Sequence, residues 1–180
     1  MWRSIAIVLA VAVSGIGCGA RDAASSKPTP VPPCPEGTPF VKARDIVGTP
    51  VPEGFELLQS DPKVMDPFAN QFKARIGEAW RGYDARVLVH KGKVVGAAVV
   101  VINAKDQTGG NSLVAGVERG AGDRDVETQE ISIAGREGRL VQAIDGAYLA
   151  TAPARECAIV FLVADKKQLV TEAASVIPPE

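Results

Sequence analysis

Beyond the N-terminal 20 residues, two long stretches of this chain are apolar at every position, and they limit what it can fold into more than any other feature. Residues 94–102 read Val-Val-Gly-Ala-Ala-Val-Val-Val-Ile, and residues 157–164 read Cys-Ala-Ile-Val-Phe-Leu-Val-Ala. A strand with one face in water alternates apolar and polar residues; an apolar run without alternation fits a strand covered on both faces. Each run is far shorter than the roughly 20 residues that a helix needs to cross a bilayer. Both therefore read as buried strands, and the rest of the chain must supply a sheet around them.

It does so in short pieces. Pro52-Glu53-Gly54 is a turn into a candidate strand over residues 55–59. Residues 86–90 pass through Lys91-Gly92 into the first apolar run, a short-turn hairpin. Alternation returns over 130–134, Gly135 and Gly138 bracket a turn, 139–144 form a strand, and Asp145-Gly146 signals a hairpin into 147–151.

Helices are expected at three places. In the first, Asp66 serves as N-cap with Pro67 at the first helical position. Phe68, Phe72, Ile76 and Trp80 then recur every four residues as one apolar stripe. A second, short helix opens at Gly109-Gly110-Asn111-Ser112 and ends near Arg119. In the third, Asp165 with Gln168 three residues later resembles a capping box; Leu169, Val170, Ala173, Ala174 and Ile177 form the buried face, and Pro178-Pro179 stop it.

The order strand, helix, hairpin, helix, four-strand meander, helix predicts an α+β fold. It is an antiparallel twisted sheet of about six to seven strands with two to three helices packed mainly on one face. A weak internal repeat aligns residues 97–107 with 157–168, each copy a hairpin followed by a helix.

The N-terminus has a different character. Arg3 precedes an unbroken apolar run over residues 5–13, followed by Ser14-Gly15-Ile16-Gly17-Cys18, the three parts of a secretory signal. Gly17-Cys18 after a short apolar run resembles the end of a bacterial lipoprotein precursor signal, with Gly15 where that family usually has leucine. The resemblance covers about the first 20 residues. It implies that Cys18 carries a diacylglycerol, becomes the new N-terminus and holds the protein on a membrane, on the extracytoplasmic side. The alternative is a secreted soluble protein cleaved after Ala20. Residues 21–39 contain Pro28, Pro30, Pro32, Pro33, Pro35 and Pro39, a composition that forms an extended, partly polyproline II tether. The chain thus divides into a signal peptide (1–17), a Pro-rich tether (18–39) and a single α+β domain (40–180). In element order the domain is loosely similar to the small α+β domains of bacterial lipoproteins, including the PsbP-like and lipoprotein-carrier-like groups.

Three cysteines are present, Cys18, Cys34 and Cys157. With Cys18 acylated or removed, an even pair remains in an oxidising compartment, so a Cys34–Cys157 disulfide is expected. No Cys-x-x-Cys spacing points to thiol redox catalysis.

Charge and motifs narrow the function by exclusion. Twenty Lys and Arg against 21 Asp and Glu leave a net charge of −1, spread without the basic stripe of a nucleic-acid binder. The sole histidine, His90, lies beside a hairpin turn, which leaves no basis for a His-rich metal site. Nucleophile-elbow, P-loop and dinucleotide signatures are lacking. Gly109-Gly110-Asn111-Ser112 could cradle an anion, although a loop and cap is the plainer reading. Asp123, Asp125 and Glu127 alternate, but lack the further ligands and glycine of a calcium loop. Trp80, Arg81 and Tyr83 are of residue types enriched at binding hot spots and are the candidate ligand or partner contact. The expectation is a non-enzymatic, membrane-anchored envelope protein, without cofactor or metal, that binds a partner at the cell surface. The alternative is a carrier or sensor of an apolar ligand held between sheet and helices.

Overall fold

Residues 96–102 and 158–164 of the two apolar runs lie side by side at the centre of one sheet. The computed structural model describes residues 34–93, 96–105, 128–143, 146–155 and 157–179. In chain order its elements are α1 (Ala43–Val47), β1 (Phe55–Gln59), α2 (Pro62–Ile76), a 3-10 turn (Gly77–Ala79), β2 (Trp80–His90), β3 (Gly96–Ala104), β4 (Gln129–Ile133), β5 (Arg136–Gln142), β6 (Tyr148–Pro153), β7 (Ala158–Ala164) and α3 (Lys167–Val176). The strands form one seven-stranded antiparallel sheet in the order β1-β2-β3-β7-β6-β5-β4. This is the α+β fold expected. The signal peptide, Cys18, the tether up to residue 33, the 109–119 helix and the acidic residues 123, 125 and 127 lie outside the described residues.

Strands β3 and β7 are covered on both sides, and the alternation of side chains assigns each residue to a face. Val99, Val101, Val160 and Leu162 enter a core closed by α1 and α3. Val100, Ile102, Ile159 and Phe161 enter a second core closed by Met65, Phe68 and Phe72 of α2. Phe161 is the centre of that core, with the Phe72 and Phe68 rings 4.7 and 5.7 Å away. Complete burial of such a ring contributes about 1.5–3 kcal/mol. Helices α1 and α3 share one face, while α2, the longest, covers the other. A sheet whose central strands are apolar on both faces requires cover on both.

Several local expectations are corrected. Helix α2 begins at Pro62, not Pro67; Asp61 is its N-cap and its carboxylate accepts from the Lys63 amide at 2.9 Å. Pro67 sits inside the helix, and the earlier start lets Met65 reach the sheet. The helix also stops at Ile76, so Trp80 opens β2 instead of continuing the helical stripe. Helix α3 is preceded by Lys166, not Asp165, and without a side-chain cap. The β4–β5 turn is Ala134-Gly135, both left-handed at φ 54° and 76° as a two-residue hairpin turn demands. Gly138 lies within β5, where a Cβ would come 2.4 Å from the Thr151 carbonyl oxygen. The proposed repeat pairs Val99 with Ile159, yet these face opposite cores; a one-residue offset in a strand exchanges faces, so the alignment describes no structural equivalence.

Candidate functional site

One end of the sheet gathers the start of β2, the end of β3, the end of β6 and the start of β7: Trp80 is opposite Ala104, Asn103 opposite Ala158, and Pro153 opposite Ile159. Residues 34–47 cross this end as a strap. Residues 34–39, which composition assigns to the tether, are fixed to the sheet. The Cys34 amide donates to the Lys105 carbonyl at 3.1 Å. A turn follows in which the Thr38 amide donates to the Pro35 carbonyl at 3.1 Å and Gly37 takes φ 81°, the left-handed value that a type II turn requires at its third residue.

The expected disulfide is present: Cys34 is bonded to Cys157, with Cα atoms 6.1 Å apart and a sequence separation of 123. Cys157 immediately precedes β7, at φ 64°. A left-handed backbone costs a residue with a Cβ about 1 kcal/mol, and the cross-link helps hold it there.

Acidic and amide side chains complete the fastening. Asn103 is 2% exposed and lies near the end of β3; its Oδ1 accepts from the Val41 amide at 2.8 Å while its Nδ2 donates to the Val41 carbonyl at 2.9 Å. The side chain thus replaces a β-ladder partner for one strap residue. Asp84 Oδ2 accepts from the Ala43 amide at 2.8 Å, and Asp45 Oδ2 from the Lys42 amide at 2.8 Å, so two amides at the start of the short α1 are satisfied. Val41, Ala43, Ile46 and Val47 are then buried against the α3-side core.

The structure divides the Trp80-Arg81-Gly82-Tyr83 cluster between two jobs. A β-bulge lies between Trp80 and Gly82. It puts Trp80 and Tyr83, three apart in sequence, on the same face, where both pack half-buried against the α2 core with ring centroids 6.5 Å apart. Arg81 turns to the strap: its Nη1 donates to the Thr38 carbonyl at 2.7 Å, and its guanidinium carbon stands 6.0 Å from the Phe40 ring centroid. Phe40 lies on Gly82, where a Cβ would come 3.0 Å from its Cε2. Tyr83 donates its hydroxyl to Asp66. Burial first, then that hydrogen bond and the charges of Asp66 and Asp84, push its phenol up to about 12.

Beside the disulfide is an open cleft of about 350 Å³, lined by Cys34, Pro35, Thr38, Arg81, Ala104 and Lys105. At the opposite end of β2 the geometry is closed. His90 Nδ1 lies 3.0 Å from Glu172 Oε1, Lys93 Nζ is 3.7 Å from the same oxygen, and Phe55 stacks on the imidazole at 4.9 Å. This group joins the β2–β3 hairpin to α3, and the gap beneath it, bounded by Phe55, Leu88, Leu169 and Ala173, is about 10 Å³. At this point of the sheet–helix interface an apolar ligand has no room.

Among the described residues, no group of three His, Cys, Asp or Glu side chains is placed to hold a metal ion, and no helix is long and apolar enough to cross a membrane. Set against protein-family models, curated proteins and solved structures, the chain matches none.

Asn103, Asp84 and Phe40 were missed by sequence reasoning. Asn103 had a signal: it is a polar residue near the end of an otherwise apolar strand, and a buried amide must find partners. Asp84 and Phe40 had none. Asp84 accepts from an amide 41 residues away, and Phe40 packs on a glycine that only the β2 bulge presents to it.

Proposed function

We propose that this chain is an extracytoplasmic envelope protein held to a membrane through acyl chains on Cys18, and that its sheet domain is a non-enzymatic module presented to a binding partner. The observation that carries the reading is where the Pro-rich segment joins the fold. Its last cysteine, Cys34, is bonded to the residue that opens the central strand β7, and Asn103, Asp84 and Arg81 hold the next residues to the sheet. A domain pulled by a membrane tether needs its attachment at a rigid point, and a cross-link to a central strand supplies one. A disulfide also suits an exported protein.

The distribution of polar side chains supports a binding role over an enzymatic one. Asp84 caps α1, Asp66 takes the Tyr83 hydroxyl and Glu172 takes His90; each is occupied in holding elements together. The carrier reading draws no support from the 10 Å³ gap under α3. Partner contact by Trp80, Arg81 and Tyr83 would use only their outer edges, since Arg81 is engaged by the strap and the two rings by the α2 core.

The deciding experiment is mass determination of the mature protein extracted from a bacterial host, paired with Cys18→Ser. A chain beginning at Cys18 with added acyl mass, lost from the membrane fraction in the variant, is the expected result. An unacylated chain beginning near Arg21 would overturn the anchor.

A further inference from the structure

The cleft beside the disulfide is lined by one of its two cysteines. Cys34 is half-buried and lines the cleft, whereas Cys157 is 7% exposed and does not. Arg81 and Lys105, both cationic, line the same opening. Thiol–disulfide exchange proceeds by attack of a thiolate, an anion, and cations lining its approach attract it. We propose that this cleft is a site of thiol attack on Cys34 Sγ, and that the Cys34–Cys157 bond is a reducible latch on the strap.

The step balances as ordinary exchange with a dithiol, a small molecule or the Cys pair of a thiol oxidoreductase. The incoming thiolate forms a bond to Cys34 Sγ, the Cys34–Cys157 bond breaks, and Cys157 leaves as a thiolate that takes up a proton. The second thiol of the reductant then displaces Cys34, so that two electrons pass to the protein and the reductant becomes the disulfide.

The strap is built to come away in part. Residues 34–40 are held by the disulfide, the Cys34–Lys105 hydrogen bond and the contacts of Arg81 with Thr38 and Phe40. From Val41 onward, Val41, Ala43, Ile46 and Val47 are buried, and the backbone of Val41 and Ala43 is bonded to Asn103 and Asp84. Reduction therefore frees 34–40 and leaves 41–47 docked. Where the tether reading above holds, on which this consequence rests, the domain's distance from the membrane extends by up to about 25 Å, at roughly 3.3–3.6 Å per residue.

The test uses the protein purified in its oxidised form from a bacterial host. It is exposed to glutathione, quenched with an alkylating maleimide, digested and mapped by mass, with hydrogen exchange followed in parallel after reduction by dithiothreitol. The expected result is a glutathione adduct on Cys34 with the maleimide on Cys157, and faster exchange over 34–40 while residues 99–102 and 159–163 keep their protection. Lys105→Gln should slow the attack about threefold at low salt, a difference that vanishes near 1 M salt, where the screening length is about 3 Å. An adduct on Cys157, reduction no faster than global unfolding, or exchange rising in strap and central strands together would overturn the latch. An unchanged rate in Lys105→Gln would overturn the part given to the cleft. The assay does not depend on acylation. Attack at Cys34 in an unacylated protein keeps the latch and removes the tether, and attack at Cys157 in an acylated protein does the reverse.

Discussion

Replacing Asn103 by leucine should destabilise the fold as much as replacing it by alanine. The side chain is 2% exposed and makes two hydrogen bonds, both to the backbone of Val41, itself 1% exposed. Each neutral hydrogen bond is worth about 1 kcal/mol net, and each buried backbone group left without a partner costs about 1–3 kcal/mol. Losing both bonds therefore costs about 2–6 kcal/mol. For a chain of 180 residues, 1 kcal/mol corresponds to about 2–4 °C in Tm, so a loss of about 4 kcal/mol, the middle of that range, lowers Tm by about 8–16 °C. Leucine separates this mechanism from a packing effect. Its side chain has the same number and branching of heavy atoms as asparagine, so a cost that came from a cavity would disappear in Asn103→Leu and persist only in Asn103→Ala. The assay is thermal unfolding followed by circular dichroism, with hydrogen exchange at Val41 and Ala43 as the local readout. A Tm for Asn103→Leu within about 2 °C of the native protein, with unchanged exchange at those amides, would refute the reasoning.

Further predictions concern the cross-link, the close strand approaches and Tyr83. Replacing Cys34 and Cys157 together by serine should cost on the order of 4–5 kcal/mol by the chain-entropy account of a loop this long, read as a lower urea midpoint under non-reducing conditions; an unchanged midpoint would contradict it. Gly96→Ala should destabilise by about 2–3 kcal/mol, because its Cβ would stand 2.3 Å from the Leu88 carbonyl oxygen and 2.5 Å from Val89 Cγ1. Gly92→Ala, at φ 77° with nothing within 4 Å, should cost only about 1 kcal/mol for its left-handed backbone; equal urea midpoints for the two variants would refute the clash. The Tyr83 phenol, neutral in the fold up to about 12 against an ordinary 10.0, gives up its proton earlier when unfolded. Its contribution to stability is therefore complete below pH 10 and declines as pH rises towards about 12. Tyr83→Phe should flatten the stability curve across that interval, and ultraviolet titration of the phenolate should show one tyrosine fewer ionising late.

Features that depend only on neighbours along the chain are legible in the amino-acid sequence by itself. An apolar run without alternation must be covered twice, and β3 and β7 are. The Lys91-Gly92 hairpin needs only its local backbone preference, as β1 needs only its five residues after a Pro-Glu-Gly turn. The Cys34–Cys157 disulfide is the one pair left among three cysteines when Cys18 is assigned to the signal, as the reading of the N-terminus expects.

Expectations failed where two local solutions were equally good. Asp61-Pro62 and Asp66-Pro67 carry the same N-cap signal, five residues apart, and only the packing of Met65 onto the sheet favours the first. Trp80 continues a four-residue period from Phe68, yet the chain leaves the helix at Ile76 and restores Trp80 to the α2 face through a bulge. Which face of the sheet α2 would cover, which strand would lie beside β3, and which backbone Asn103 would grip are choices between partners remote in sequence. Local propensity carries no term for them: their free energy exists only once the sheet has assembled and the strap has something to lie against.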